Sequence, residues 1–209
     1  MVRLKDIAYR AGVSVMTVSK ALRDAKDISI ATKQRIQDMA AEMGYVPDAA
    51  AAGLRTRSTR LLGLVLPTQT NPIFARMVIA IEEWSFQHGF AVLLMHSHND
   101  PAREEQCLRR LLSRRVDGLF ISPASRLETS AKIYEALQAS GVPVVILGTK
   151  PKFCAPFACV ESDDATASAN VTRHLVELGH RRIAFFAGPQ ISPWAHDRLA
   201  GYKTALREA

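Results

Sequence analysis

Few side chains in this sequence have both the type and the spacing for covalent or metal chemistry. His96 and His98 stand two residues apart near the end of an apolar stretch, as a metal pair would, but no cysteine or carboxylate completes the ligand spacing. Cys154 and Cys159 are five apart, wrong for a two-residue zinc knuckle, and read as loop residues. His180 follows Gly179 at a helix–strand turn, where a structural role outweighs a catalytic one. No Gly-x-Gly-x-x-Gly or Walker A sequence follows a predicted strand, and no Gly-x-Ser-x-Gly elbow is present. No catalytic residue, metal ligand or cofactor is assigned, and an enzyme is the weaker reading. The hydroxyl residues near the N-terminus are different. Ser14, Thr17, Ser19, Ser29 and Thr32 fall at helix starts, where backbone N–H groups also face anions, and Arg23 and Arg35 add positive charge. That is the chemistry of phosphate contacts. For each hydroxyl taken singly, a plain helix cap is an equal alternative.

The elements that must carry these groups can be read from periodicity. Leu4, Ile7, Ala8 and Ala11 recur at spacings of three and four, one face of a short helix that Gly12 ends. Ser14 can cap a second helix to about Leu22, and Ser29 a third whose Ile36, Met39, Ala40 and Met43 form one stripe. Gly44 and Pro47 stop it. Two short helices joined by a tight turn, followed by a third, form the helix-turn-helix pattern. Residues 47–60 are Ala-rich and about two turns long, too short for an isolated helix, and Gly53 weakens it further. From Leu61 strands and helices alternate. Strands are predicted over 61–66, 91–96, 118–121, 144–147, 158–161 and 183–187, with helices over 73–88, 102–114, 130–140, 165–178 and from about Pro193. Phe74, Met77, Val78, Ile81 and Trp84 share a helical face in the first of these. The alternation implies right-handed βαβ units and a parallel sheet.

Composition agrees with a soluble globular chain. Of 209 residues 48% are hydrophobic and 22% charged, and no apolar run is long enough to span a membrane. The charged N-terminus is unlike a signal peptide, and three cysteines suit a reducing cytoplasm better than a disulfide framework. The formal charge of +7 is uneven: residues 1–60 hold 11 Lys/Arg against 6 Asp/Glu, a net +5. Basic asymmetry of this kind points to nucleic acid or another anionic surface.

Four stretches together carry a resemblance. Asp6–Leu22 contains Asp-Ile-Ala, then Ala-Gly-Val-Ser, then Thr-Val-Ser in register; Gly44-Tyr45-Val46-Pro47 leads an Ala-rich run ending in Leu54; Leu178-Gly179-His180-Arg181-Arg182-Ile183-Ala184 and Arg198-Leu199-Ala200-Gly201-Tyr202 follow. In these the chain resembles the LacI-type transcription regulators from Leu4 to its last residue. The resemblance implies an all-α helix-turn-helix headpiece (1–46), a hinge (47–60), and an α/β core like that of periplasmic binding proteins. The core would comprise an N-terminal subdomain (61–157) and the start of a C-terminal effector subdomain (158–209). Family members continue well past the position of Ala209, so the second subdomain is expected to be incomplete.

The resemblance further implies that Ser14–Leu22 is the recognition helix, lying in the major groove. Val15, Met16 and Lys20 would read bases: Lys20 can donate to guanine O6 or N7, and the two apolar side chains can meet a thymine methyl. Core packing is the competing role for Val15 and Met16, but Val13 and Val18 are better placed for it. In the hinge, Leu54 would wedge into the minor groove with Arg55 and Arg57 on flanking phosphates. The chain departs from the family at Ala52-Gly53, where a longer polar residue and serine are usual. Phe74, Asp163 and Arg198 would contact a small-molecule effector, with core packing the alternative for Phe74 and helix capping for Asp163. Gly148-Thr149-Lys150 stands where many sugar-responsive relatives carry Asp-Arg, so a sugar is the default effector only. The implied partners are a near-palindromic DNA operator, a sugar-like effector and a second copy of the chain, in a cytoplasmic, nucleoid-associated repressor without a membrane. The rival readings are a DNA-binding-only or nonfunctional fragment, a free-standing sugar-binding protein and an enzyme.

Overall fold

A computed structural model of the chain describes residues 2–47, 58–189 and 191–209. It divides into two compact units, Met1–Ala52 and Gly53–Ala209.

The first unit is helical among its described residues: α1 (Leu4–Ala11), α2 (Val15–Leu22) and α3 (Ile30–Glu42). Each helix starts and stops on local chemistry. The Arg3 backbone N–H donates to the Asp6 carboxylate at 2.8 Å, closing the first turn of α1. Gly12 ends α1 at φ 67°, a left-handed conformation that glycine adopts without cost. Ser14 and Ser29 accept from the backbone N–H groups of Thr17 (3.0 Å) and Thr32 (3.3 Å) and so cap α2 and α3. The helices are too short to stand alone in water and are held by a small shared core. That core is Ile7, Ala8 and Ala11 from α1, Val18 and Ala21 from α2, and Ile36 and Ala40 from α3.

The second unit is α/β. Its elements are β1 (Leu61–Leu66), α4 (Pro72–Gln87), β2 (Ala91–His96), α5 (Pro101–Ser113), β3 (Gly118–Ile121), α6 (Lys132–Ser140), β4 (Val144–Leu147), a 3-10 turn at Lys152–Cys154, β5 (Ala158–Val160), α7 (Asp164–Glu177) and α8 (Pro193–Glu208). The strands form one parallel sheet in the order β2-β1-β3-β4-β5. Alternation along the strands sends side chains to opposite faces. Val65, Leu119, Ile121 and Ile146 cluster with Leu108 and Leu111 of α5 and Leu137 of α6. Leu64 and Leu66 cluster with Phe74, Met77, Val78 and Ile81 of α4 on the other face. The helices α4 and α5 begin one residue earlier than predicted, at Pro72 and Pro101, because Asn71 and Asp100 cap them and proline suits the first helical position.

Four further differences from the sequence reading have physical causes. The strand predicted over Ile183–Ala187 does not form. Among the described residues no neighbouring strand pairs with it, and Phe186 is 96% exposed. Tertiary contacts hold this stretch instead: Phe185 stacks on Tyr202, whose hydroxyl donates to the Ile183 carbonyl at 2.7 Å. The strand predicted to open the second subdomain is β5, which pairs with β4, so the boundary expected at residue 158 falls inside the first sheet. Trp84, read with the apolar face of α4, lies half exposed and stacks on His88. The helix predicted from Ser130 begins at Lys132. The close pairing of α7 and α8 requires Gly201: a Cβ there would lie 2.0 Å from the Ala165 carbonyl oxygen. Among the described residues no helix is long and apolar enough to cross a membrane.

Candidate nucleic-acid interface

The surface around α2 is built by a division of labour along one short helix. Val18 and Ala21 are fully buried against α1 and α3, while Val15 and Met16, in the first turn, are 46% and 63% exposed. Val13, before the cap, packs partly on the core. Two apolar side chains are thus presented to solvent next to a capped helix N-terminus. Lys20 sits one turn after Met16 on the same side of the helix. Its ammonium forms a hydrogen-bonded ion pair with Asp27 in the turn before α3.

The predicted phosphate-contact residues have structural partners of their own. The Ser14 and Thr17 hydroxyls share a hydrogen bond of 2.9 Å, and Ser29 and Thr32 one of 2.8 Å. Arg23 donates from Nε to the Ser19 carbonyl at 2.8 Å. Arg35 donates to the Ala11 carbonyl at 3.2 Å, tying α3 to the C-terminus of α1, yet its side chain stays exposed. Sequence reasoning missed two exposed residues of this unit: Tyr9 on α1, 92% exposed, and Ile30 at the start of α3, 83% exposed. Tyr9 is next to Ala8 on α1 but off the Leu4–Ile7–Ala8–Ala11 stripe, and that offset was the available signal. Leu54, Arg55 and Arg57 lie outside the described residues.

The three predicted effector residues separate. Phe74 packs with Leu64, Leu66 and Leu147 on the α4 face of the sheet. Asp163 caps α7, accepting from the Thr166 backbone N–H at 2.9 Å, and that bond holds its carboxyl below the usual aspartate range. Arg198 of α8 donates to the Asp164 carboxylate at 2.7 Å and lies 4.9 Å above the Trp194 ring. A cavity of about 540 Å³ is lined by Leu127, Ile191, Ala195, His196 and Leu199, among others, but by neither Arg198 nor Trp194.

Leu127 belongs to the loop after β3, and a buried charge cluster that the sequence did not reveal fixes this loop. Glu104 of α5 is fully buried; its carboxylate accepts from the Ala124 backbone N–H, from Arg126, and from the Tyr134 hydroxyl at 3.0 Å. The Arg126 guanidinium lies 5.0 Å above the Phe153 ring. Burial pushes the Glu104 carboxyl up, and these donors hold it back. At the opposite end of the sheet, Asp117 accepts from the Ser58 hydroxyl, the Thr59 backbone N–H (2.9 Å) and hydroxyl (3.1 Å), and the Arg60 backbone N–H (3.0 Å). These bonds outweigh the upward push of burial and keep Asp117 below the usual aspartate range.

The groups with metal or thiol potential remain isolated. The His96 and His98 ring centroids are 6.3 Å apart, and among the described residues no third ligand joins them. The His96 Nε2 is buried without a hydrogen-bond partner, and burial pushes its pKa down. Cys107, Cys154 and Cys159 are free thiols, and burial pushes Cys154 up to about 12, which makes it unreactive.

A capped helix-turn-helix unit followed by a parallel α/β unit defines a class of two-part regulatory proteins, and comparison with known proteins gives the family. Residues 3–48 match the bacterial regulatory proteins of the lacI family. Residues 59–209 match the periplasmic binding proteins and sugar binding domain of LacI family. The chain belongs to the LacI family. It is 32% identical over 206 residues to the HTH-type transcriptional regulator GntR of Escherichia coli, covering 99% of this chain and 61% of that protein. It is 31% identical over 206 residues to the HTH-type transcriptional repressor CytR of the same organism, covering 98% and 59%. Among solved structures, the Lac repressor dimer bound to operator and the anti-inducer ONPF superposes with a TM-score of 0.85 at 28% identity, covering 99% of this chain and 62% of that one. The chain therefore spans about three fifths of the length of these relatives. The relatives are transcriptional regulators, not enzymes by name.

Proposed function

We propose that this chain acts as a transcription repressor that binds a near-palindromic operator as a dimer and is modulated by a small-molecule, sugar-like effector. The observation that carries the reading is the exposure of Val15 and Met16 in the first turn of α2 while Val18 and Ala21 bury. Helix-turn-helix proteins place that first turn against base edges in the major groove. Val15, Met16 and Lys20 read bases; Ser14, Thr17, Ser19, Arg23, Ser29, Thr32 and Arg35 approach phosphates and make affinity fall with salt. Leu54 wedges into the minor groove between Arg55 and Arg57. The similarity to an operator-bound repressor dimer supports this arrangement. Arg198 with Trp194 offers a cation and an aromatic face to a sugar-like effector from α8, the helix whose Ala195, His196 and Leu199 line a cavity, while Asp163 and Phe74 serve mainly as helix cap and sheet core. The protein acts in the cytoplasm at the nucleoid and performs no catalysis.

Selection from random duplex DNA at fixed salt tests this. A two-fold symmetric enriched motif is the expected result. Salt-sensitive binding with no motif overturns sequence-specific reading. For the hinge, Leu54→Ala is expected to bind the selected site more weakly and bend it less in a circular-permutation gel assay. Unchanged bending removes the wedge.

A further inference from the structure

The α2 surface carries an acid where affinity for a polyanion argues against one. Asp27 belongs to a unit whose net charge is positive, yet it stands beside the helix that reads DNA. It is not a mobile acid. The turn that bears it is pinned on its other side by Asp24, which adopts φ 56° and accepts from the Lys33 ammonium at 2.7 Å. That lysine side chain is only 14% exposed. The Ala25 backbone N–H donates to the Lys20 carbonyl at 3.0 Å, and Ile28 packs on the helical core. Asp27 is thus presented to Lys20 from a fixed position. The Lys20 hydrogen bond in turn holds the Asp27 carboxyl below its usual range. Both side chains keep open surface, 39% for Lys20 and 56% for Asp27.

A lysine alone is a poor base reader, because its ammonium is a point charge on a long flexible stem. A carboxylate that occupies one of its N–H donors points the remaining two outward. The result is a donor pair next to an acceptor. The major-groove edge of a G·C pair is the complement: guanine offers O6 and N7 as acceptors and cytosine offers an N4 donor. We propose that Asp27 is a specificity-determining residue which, with Lys20, forms a single unit that reads a G·C pair. This rests on the reading of α2 as the recognition helix.

The test is selection from random duplex, followed by competition titrations over a salt series. It uses the full chain and its Asp27→Asn, Lys20→Ala and doubly substituted forms. Asp27→Asn is nearly isosteric at an exposed position, and helical circular dichroism checks that it folds. The wild type is expected to enrich a G·C pair at one position of each half-site. Asp27→Asn should bind random duplex several-fold more tightly, because a repelling charge is gone. It should also lose roughly tenfold discrimination at that one position and keep its preference elsewhere. Lys20→Ala should flatten the same position, and the double variant should discriminate no worse than Lys20→Ala alone. If Asp27→Asn tightens all duplexes alike with base ranking intact, Asp27 is only a surface charge and the proposal fails. If Lys20→Ala flattens a position that Asp27→Asn leaves sharp, Lys20 reads alone and the paired unit is excluded. If the wild type enriches no motif, recognition by α2 itself is wrong, and the proposal falls with it.

Discussion

The helical unit and the α/β unit both keep ion pairs at the surface, but among the described residues only the α/β unit buries a pair on both sides. The helical unit buries only apolar residues in its small core; its Arg10–Glu42 and Lys20–Asp27 pairs lie at the surface, and Lys33–Asp24 joins a largely buried lysine to an exposed aspartate. It also leaves Val15 and Met16 in solvent. The α/β unit has a large apolar core and places the Glu104–Arg126 pair inside, under a loop that borders a cavity. The difference separates two uses of the same side chains. In the helical unit the Arg10–Glu42 and Lys20–Asp27 pairs keep open surface. Where a loop must hold one shape, the pair is buried and its hydrogen bonds are completed. A surface ion pair contributes little to stability, whereas breaking a buried one is costly.

The largest effect that would test this contrast is Glu104→Ala. Removing the carboxylate strands the Arg126 charge and the Tyr134 hydroxyl in the interior, with an expected loss of about 3–5 kcal/mol. Both tryptophans, Trp84 and Trp194, lie in the α/β unit, so denaturation followed by tryptophan fluorescence reports on that unit. A loss under about 1 kcal/mol would place the pair in the same class as the surface pairs. Next in size is Asp117→Ala, which removes the acceptor for Ser58, Thr59 and Arg60. About 2–3 kcal/mol is expected by the same measurement, since hydrogen bonds to a charged group are the stronger kind.

A paired substitution sharpens the comparison within α2. Val18→Ala should cost about 1–3 kcal/mol of helical-unit stability, monitored by circular dichroism, through lost core packing. Met16→Ala should cost less than about 0.5 kcal/mol and instead weaken binding to a selected DNA site. Equal stability losses would mean that Met16 is core, and the proposed reading surface would lose its main support.

The smallest effect is in pH. Asp117 titrates below the ordinary aspartate range in the folded chain, so its contribution is present above the unfolded value of about 3.9 and is lost as pH falls through the lower folded value. The acid limb of α/β stability should therefore be shallower in Asp117→Asn. An unchanged limb would assign it to other carboxylates.

Much of both units was legible before any coordinates. The helix ends at Gly12, Ser14, Ser29 and Gly44 are local events, decided by a side-chain oxygen or a left-handed backbone within a few residues. The strands at Leu61–Leu66, Ala91–His96, Gly118–Ile121 and Val144–Leu147 were readable because they are continuous apolar runs, as buried parallel strands are. The stretch 183–187 reads the same way and is no strand, since a strand exists only with a partner to take its backbone hydrogen bonds. Of the candidate site residues, the exposure of Val15 and Met16 was readable from their offset to the packing face, and the capping role of Asp163 from its place before a helix.

The sequence alone carried the family, through the motif resemblance of Asp6–Leu22 and the stretches after it, and it determined the helix-turn-helix, the parallel alternation of strands and helices, and the basic N-terminal segment, because these last follow from local propensity, periodicity and charge count. Only the tertiary structure decided which charges pair. Glu104 meets Arg126 and Tyr134 across 22 and 30 residues, Asp117 collects donors 57 to 59 residues away, and Asp27 reaches back to Lys20 across a turn. No local rule encodes those meetings. They arise because packing an apolar core brings distant polar groups together, and a buried or fixed polar group must then find its partner where the fold has left one.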